Sequence, residues 1–182
     1  DETKGGALIL NETFKNEENG WTPKEKFTKK SRFENGKYIL TGNTEDYCYW
    51  SDLAVEDMGE DFDIRLKTIW LSGELSDYGF MIMYSADDYF GFELRNDGKA
   101  RYLRSYNGEY TDIGDYKNCG IESDGQIAVQ QFVKVRDHRF EYYVNEKLIA
   151  TGELNPYRMT AIAVRVCGRQ TIAFDHLTIE EK

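Results

Sequence analysis

The sequence predicts an all-β chain folded as a two-sheet antiparallel β-sandwich, and three observations predict it. Towards the C-terminus, Phe132-Val133-Lys134-Val135-Arg136, Phe140-Glu141-Tyr142-Tyr143-Val144-Asn145 and Ile172-Ala173-Phe174-Asp175-His176-Leu177-Thr178-Ile179 follow one another as alternating apolar and polar runs. Such period-2 patterning places one side of each strand in a core and the other in water. Turn signals recur between the runs, at Asn19-Gly20, Asn35-Gly36, Asp97-Gly98, Asn107-Gly108, Asp124-Gly125 and Asn145-Glu146. No segment sustains the 3.6-residue apolar period of a helix.

Taken in order, strands are expected near Leu8-Phe14, Lys37-Thr41, Tyr47-Ser51, Phe62-Thr68, Tyr78-Tyr84, Tyr89-Arg95, Lys99-Ser105, Lys147-Leu154 and Met159-Val166, besides the three runs above. Alternation is clearest in Phe62-Asp63-Ile64-Arg65-Leu66-Lys67-Thr68, where Phe62, Ile64 and Leu66 share one face and the charged residues the other. With Val133, Val135, Tyr142, Val144 and Phe174 they form the expected core. Trp70 shares their parity and is assigned to the core, and Trp21 to a plug at the sandwich edge. In the last strand Ile172 and Phe174 have one parity and Leu177 and Ile179 the other, which requires a β-bulge near Asp175-His176. The Asp175 carboxylate is expected to accept backbone donors at that bulge, with a structural calcium ion as the alternative.

At 182 residues, 40% of them hydrophobic and 14% aromatic, the chain suits one domain with a substantial core, residues 7–182. Residues 1–6, Asp1 to Gly6, read as a flexible tether. The absence of an initial methionine reads as a mature chain with its leader removed, so an extracytoplasmic setting (periplasmic, secreted or surface-anchored, as in bacterial lipoproteins) is the expectation. A net charge of -10, from 33 acidic and 23 basic residues, repels nucleic-acid phosphates and anionic lipid. Neither nucleic acid nor membrane insertion is expected. Cys48, Cys119 and Cys167 show no metal or redox spacing; they read as buried apolar side chains, with one disulfide among them as the alternative. His138 and His176 are too far apart to suggest a metal pair by spacing, and no metal site or cofactor is assigned.

The combination of Phe14, Gly20-Trp21, Phe33-Glu34-Asn35-Gly36-Lys37-Tyr38, Phe62-Asp63-Ile64, Tyr78-Gly79-Phe80, Tyr89-Phe90-Gly91-Phe92-Glu93-Leu94, Gly98, Val133-Lys134-Val135, Tyr142-Tyr143-Val144-Asn145 and Phe174-Asp175 resembles the concanavalin A-like lectin/glucanase jelly rolls, in particular accessory modules of secreted or surface bacterial proteins. The resemblance spans nearly the whole chain, on core strands and turns. It implies a jelly roll and a partner among carbohydrates. The late hairpins depart from the pattern, with Asp137-His138 and Asn145-Glu146 where glycine would serve a positive φ.

Glucanases of this fold carry Glu-x-Asp-x-Glu or Glu-x-Asp-x-x-Glu on one strand, which sets two carboxyls at catalytic separation. No such motif occurs. The nearest cluster, Glu56-Asp57-Met58-Gly59-Glu60-Asp61-Phe62-Asp63, has another order and reads as a solvated loop entering a strand. No catalytic residues are assigned, and a hydrolase with scattered carboxylates, Glu93 among them, is the alternative to a binding module; a structural or protein-interaction domain is the third. Sugar binding needs an aromatic platform and a few planar hydrogen-bonding groups. With Phe90, Phe92 and Leu94 in the core, Tyr89, Glu93 and Arg95 face outward. Parity assigns Arg104 and Arg165 to the same outer face, with Trp50 at its rim. These six residues are the candidate ligand site, its arginines suited to hydroxyls or to a uronic carboxylate.

Overall fold

The computed structural model describes residues 6–15, 20–21, 25–26, 29–56, 58–121 and 126–182. The expected turn Asp124-Gly125, Asn19 of the Asn19-Gly20 turn, Asp57 of the acidic cluster and residues 1–5 of the expected tether lie outside them. Chain order gives β1 (Leu8–Glu12), β2 (Glu25–Lys26), β3 (Lys29–Glu34), β4 (Lys37–Gly42), β5 (Cys48–Ala54) and β6 (Phe62–Gly73). There follow β7 (Asp77–Met83), β8 (Tyr89–Arg95), β9 (Lys99–Tyr106), β10 (Glu109–Ile113) and β11 (Lys117–Asn118). The C-terminal strands are β12 (Ala128–Arg136), β13 (Arg139–Val144), β14 (Lys147–Glu153), β15 (Ala161–Cys167) and β16 (Gln170–Glu181). No helix occurs among the described residues.

The strands form two antiparallel sheets. The larger runs β14-β13-β12-β6-β16-β4-β3-β2, and the smaller β10-β9-β8-β7-β15-β5 with β11 beside β9. The bulge required by the last strand is present, as a register shift between Phe174 and His176. It marks a change of neighbour: β16 pairs with β4 through Phe174 and with β1 from Leu177. Asp175, however, is held by Lys67 Nζ at 3.0 Å and Lys37 Nζ at 3.8 Å rather than by backbone donors. Two ammonium groups beside one carboxylate leave little attraction for a calcium ion there.

Phe62, Ile64, Leu66, Val133, Val135, Tyr142, Val144 and Phe174, named for the core from alternation, are all buried in one cluster between the sheets. The smaller sheet answers with Phe80, Phe92, Leu94 and Val164, and Phe92 packs its ring 5.2 to 5.3 Å from those of Phe80, Phe140 and Tyr142. Each such side chain contributes on the order of 1.5–3 kcal/mol by leaving water. Trp70 packs half-buried against this core, and Trp21 is fully within it, beside Phe14 and Tyr38. Polar links also cross the sandwich, from Tyr38 to Ser51, from Gln170 to the Asp77 carbonyl, and through Gln131. Gln131 Nε2 donates to the Phe92 carbonyl at 3.1 Å and to the Tyr142 hydroxyl at 2.7 Å, and that hydroxyl donates to the Glu93 carbonyl at 3.2 Å. Gly79 makes room for it, since a Cβ there would lie 2.1 Å from the Phe92 oxygen and 3.0 Å from Gln131 Nε2.

The hairpin turns without glycine resolve cleanly. Asp137 and His138 have φ of 48° and 61°, Asn145 and Glu146 43° and 68°, so both pairs adopt the left-handed geometry of type I′ turns. Tight pairing of β12 with β13 and of β13 with β14 holds these residues in a conformation that glycine would take without cost.

Candidate functional site

The outer face of the smaller sheet is organised by its register. Trp50, Arg165, Gly79, Glu93 and Arg101 are successive cross-strand partners over β5, β15, β7, β8 and β9. Gly79 presents no side chain in this row, so the guanidinium of Arg165 reaches across β7 to Glu93, with Nη1 2.7 Å from Oε1. Gly91 supplies the space beside it, where a Cβ would meet Arg165 Nη1 at 3.1 Å. From the other side Arg101 Nε donates to Glu93 Oε2 at 2.9 Å, and its Nη2 to Asp77 Oδ2 at 3.2 Å. The Tyr116 hydroxyl donates to Asp77 at 2.6 Å, while the Tyr116 ring lies between the guanidiniums of Arg95 and Arg101, 4.3 and 4.2 Å away. The face thus carries one continuous ionic network with a stacked tyrosine at its end.

Part of this network is roofed. Glu93 is 2% and Arg165 3% exposed, although both point away from the sandwich core. Over them lie Tyr110, whose hydroxyl accepts from Arg165 Nη2 at 3.1 Å, and a disulfide between Cys48 and Cys167 that joins β5 to β15. The same Nη2 lies 3.1 Å from Cys48 Sγ. Cys119 is the free, buried thiol, pushed up to about 11 mainly by burial. The reading of all three cysteines as plain apolar side chains therefore gives way to its alternative, because the β5–β15 register sets Cys48 directly opposite Cys167. Burial raises the Glu93 carboxyl, opposed by Arg165 and Arg101. It is also the largest influence on Arg165, against the charged form, but Glu93, Tyr110 and Tyr89 together outweigh it and the guanidinium is held above its ordinary range.

Beside this floor opens a cleft of about 200 Å³, lined by Asp46, Tyr47, Asp77, Arg101, Tyr110 and Ile113 together with the disulfide. Tyr47 is 64% and Tyr110 53% exposed, so two aromatic rings stand at the rim of a polar floor. A smaller hollow, about 80 Å³, lies near Met58, Tyr84 and Met159, and Asn155 and Tyr157 of its lining donate to Asp88.

Five of the six residues expected on this face are there. Tyr89, Glu93 and Arg95 alternate with the buried Phe90, Phe92 and Leu94; Arg165 alternates with Val164 and Val166, and Trp50 faces outward beside it. Tyr89 packs with Met81, Met83, Ala161 and Ala163, and burial pushes its phenol up to about 12. Arg95 is folded back on its own hairpin, donating to both carboxylate oxygens of Asp97 at 2.9 and 2.6 Å. Arg104 is the correction. It pairs with Phe90, a core residue, so it lies on the opposite face from Arg165. There its guanidinium sits 4.6 Å over the Phe90 ring, ion-paired with Asp88 at 2.5 Å and donating to Asn155 at 3.1 Å. Parity within β9 alone could not show this; the Asp97-Gly98 turn could, because Arg95 opposite Lys99 forces Glu93 opposite Arg101 and Phe90 opposite Arg104. The same count identifies Arg101, which the sequence reading passed over along with Asp77 and Tyr116.

The acidic cluster before β6 has structural partners. Asp61 accepts the Asp137 amide at 2.8 Å, and Asp63, nearly buried, pairs with Arg136 at 2.9 Å. No group of three or more metal-ligating side chains occurs among the described residues.

Solved structures share this architecture end to end. A β-glucanase from Bacillus licheniformis superposes with a TM-score of 0.68 at 11% identity, over 97% of this chain and 99% of its own. The chain has a concanavalin A-like jelly-roll fold. A protein of unknown function with a galectin-like fold from Bacillus subtilis gives a TM-score of 0.69 at 7% identity, covering 98% of this chain and 97% of that one. Carbohydrate-binding module CBM66 from the same organism gives 0.60 at 14% identity, covering 78% and 86%. No protein-family model matches the chain, and no curated protein matches its sequence. At such identities the jelly roll is the shared property, and the site must be argued from its own residues.

Proposed function

We propose that this jelly roll is a non-catalytic carbohydrate-binding module and that the cleft on the outer face of the smaller sheet holds the sugar. The observation that carries the reading is the pairing of exposed tyrosines, Tyr47 and Tyr110, with a fixed array of planar polar groups, Asp77 and Arg101. Aromatic faces take the apolar side of a sugar ring, and carboxylate and guanidinium groups take its hydroxyls. Glu93 and Arg165 support that array from beneath as positioning residues. The jelly-roll neighbours named above as a carbohydrate-binding module and a β-glucanase are consistent with a glycan partner.

Binding is favoured over hydrolysis by the state of the carboxylates. Glu93 has one oxygen against Arg165 and the other against Arg101, and is closed to solvent; Asp77 is held by Arg101 and Tyr116. A general acid or nucleophile must reach its substrate, which Glu93 cannot, and Asp77 meets a sugar hydroxyl only as an acceptor already shared with Arg101 and Tyr116. A disulfide at the site suits an oxidising compartment, which supports the expectation of an exported protein.

Glycan-array screening followed by calorimetric titration of the best binder tests the proposal. Tyr110→Ala should weaken binding by roughly tenfold, the equivalent of about 1.4 kcal/mol for one lost stacking surface. Unchanged affinity in Tyr110→Ala and Arg101→Lys together, with the fold intact by circular dichroism, would remove the site. Turnover of a β-glucan that disappears in Glu93→Gln would replace the binding module with an enzyme.

A further inference from the structure

Resting on that carbohydrate reading, we infer that the cleft excludes acidic sugars and takes a glycan that carries no acid group. Guanidinium groups on this face look at first like receptors for a uronic carboxylate, but each already holds an anion or its equivalent. Arg101 is bound to Glu93 and Asp77, Arg165 to Glu93 and the Tyr110 hydroxyl, and Arg95 to both oxygens of Asp97. Arg104 lies on the other face against Asp88. The fork geometry that would grip a ligand carboxylate in two places is occupied at all four arginines.

The balance of the lining points the same way. Glu45, Asp46, Asp77 and Glu93 face the cleft against Arg101 and Arg165, and Glu45 is paired with Arg169 at 3.5 Å, which leaves four acidic groups to three basic ones. A deprotonated uronic or sulfated sugar therefore enters a field of its own sign, on a chain whose net charge is already -10. Hydrogen-bond chemistry adds a second reason. The carboxylates are acceptors only, so a sugar hydroxyl can donate to them, whereas a ligand carboxylate has no proton to give at neutral pH. The hydroxyls of a neutral glycan, or the ammonium of an amino sugar, match this lining.

The test is affinity electrophoresis and titration of the whole chain with xylan and mixed-linkage β-glucan as neutral probes, chitosan oligosaccharides as amino-sugar probes, and polygalacturonate and alginate as acidic probes. At least one neutral or amino-sugar probe should bind, with both acidic polymers weaker by roughly tenfold or more, and the gap should narrow as salt screens the repulsion. Glu45→Gln with Asp46→Asn, both on the exposed rim and away from the core, should narrow it at low salt without altering thermal stability. An acidic polymer bound best or equally well, with affinity that falls as salt rises and is lost in Arg101→Lys, would overturn the charge inference while leaving a carbohydrate module in place. Failure of every probe of either charge would instead sink the carbohydrate reading, and this inference with it.

Discussion

The two outer faces of the sandwich are both rich in charge, yet they hold it differently. On the larger sheet, Lys134–Glu141 and Arg139–Glu153 stand in solvent as separate pairs between neighbouring strands, and among the described residues sharing is confined to Asp63, with Arg65, Arg136 and Lys182, to Glu180, with Arg65 and Lys182, and to Asp175, with Lys37 and Lys67. On the smaller sheet, Asp77, Glu93, Arg101 and Arg165 share their partners, and Glu93 and Arg165 are closed off beneath Tyr110 and a disulfide. Isolated solvated pairs keep a β-surface soluble and contribute about 0–1 kcal/mol each. A buried, shared network is costly to assemble and rigid once assembled, which suits a surface that must present fixed groups to a ligand.

Breaking one member of each network gives the largest expected contrast. Arg165→Ala leaves Glu93 buried beside a single remaining arginine and should lower unfolding free energy by about 3–5 kcal/mol, whereas Lys134→Ala should cost under about 1 kcal/mol. Urea denaturation of the two variants measures both. Similar losses would erase the distinction between the faces. Arg165→Met with Glu93→Leu sharpens it: removal of both charges should recover most of the stability lost by removal of one.

Next in size is the disulfide. Its two cysteines are 119 residues apart in sequence, so it closes most of the chain into a loop. Cys48→Ser with Cys167→Ser should cost about 2–4 kcal/mol by releasing the unfolded chain, and should lower glycan affinity by loosening β5 beside Arg165. A change in stability without any change in affinity would detach the disulfide from the site.

Arg104→Ala probes the corrected residue. It removes a partly buried pair with Asp88 and a cation–π contact with Phe90, at an expected cost of about 1–3 kcal/mol by thermal or urea unfolding. Because Arg104 lies on the opposite side of the smaller sheet from the cleft, glycan affinity should stay within error of the wild type. A loss of affinity matching that of Arg101→Lys would return Arg104 to the site.

How far the sequence carried these conclusions depended on what each feature rests on. Strands such as β6 and β12 were legible because alternation is a local signal, and the bulge in β16 was legible because a parity change admits no other explanation. β10 was not expected as a strand: all five of its residues are exposed, and it is held by backbone pairing to β9 with a register shift after Tyr110. Burial of Glu93 was not legible either. It arises from an arginine two strands away reaching over Gly79, a relation visible only once strand order is known. Arg104 shows the intermediate case, where the information lay in a turn and parity along one strand misread it.

The smallest expected effect concerns acid stability of the larger sheet. Glu141 is held below the usual carboxylate range, first by the Tyr143 hydroxyl that donates to it at 2.6 Å and then by Lys134; Glu180 is lowered by Lys182. A carboxylate whose folded-state pKa lies below its unfolded value adds stability that is fully present above the unfolded value, about 4.3, and is lost as pH falls through the folded one. Both groups are solvated, so the contribution is small and screened by salt. Carboxyl NMR titration should place both below the ordinary glutamate value, and Tyr143→Phe should return Glu141 towards it while leaving Glu180 unmoved. Glu93, raised mainly by burial, should titrate above the ordinary glutamate value in the same experiment. Opposite displacements on the two faces would confirm the contrast between solvated and enclosed charge, and displacements of one sign would mean that Arg165 and Arg101 outweigh the burial of Glu93.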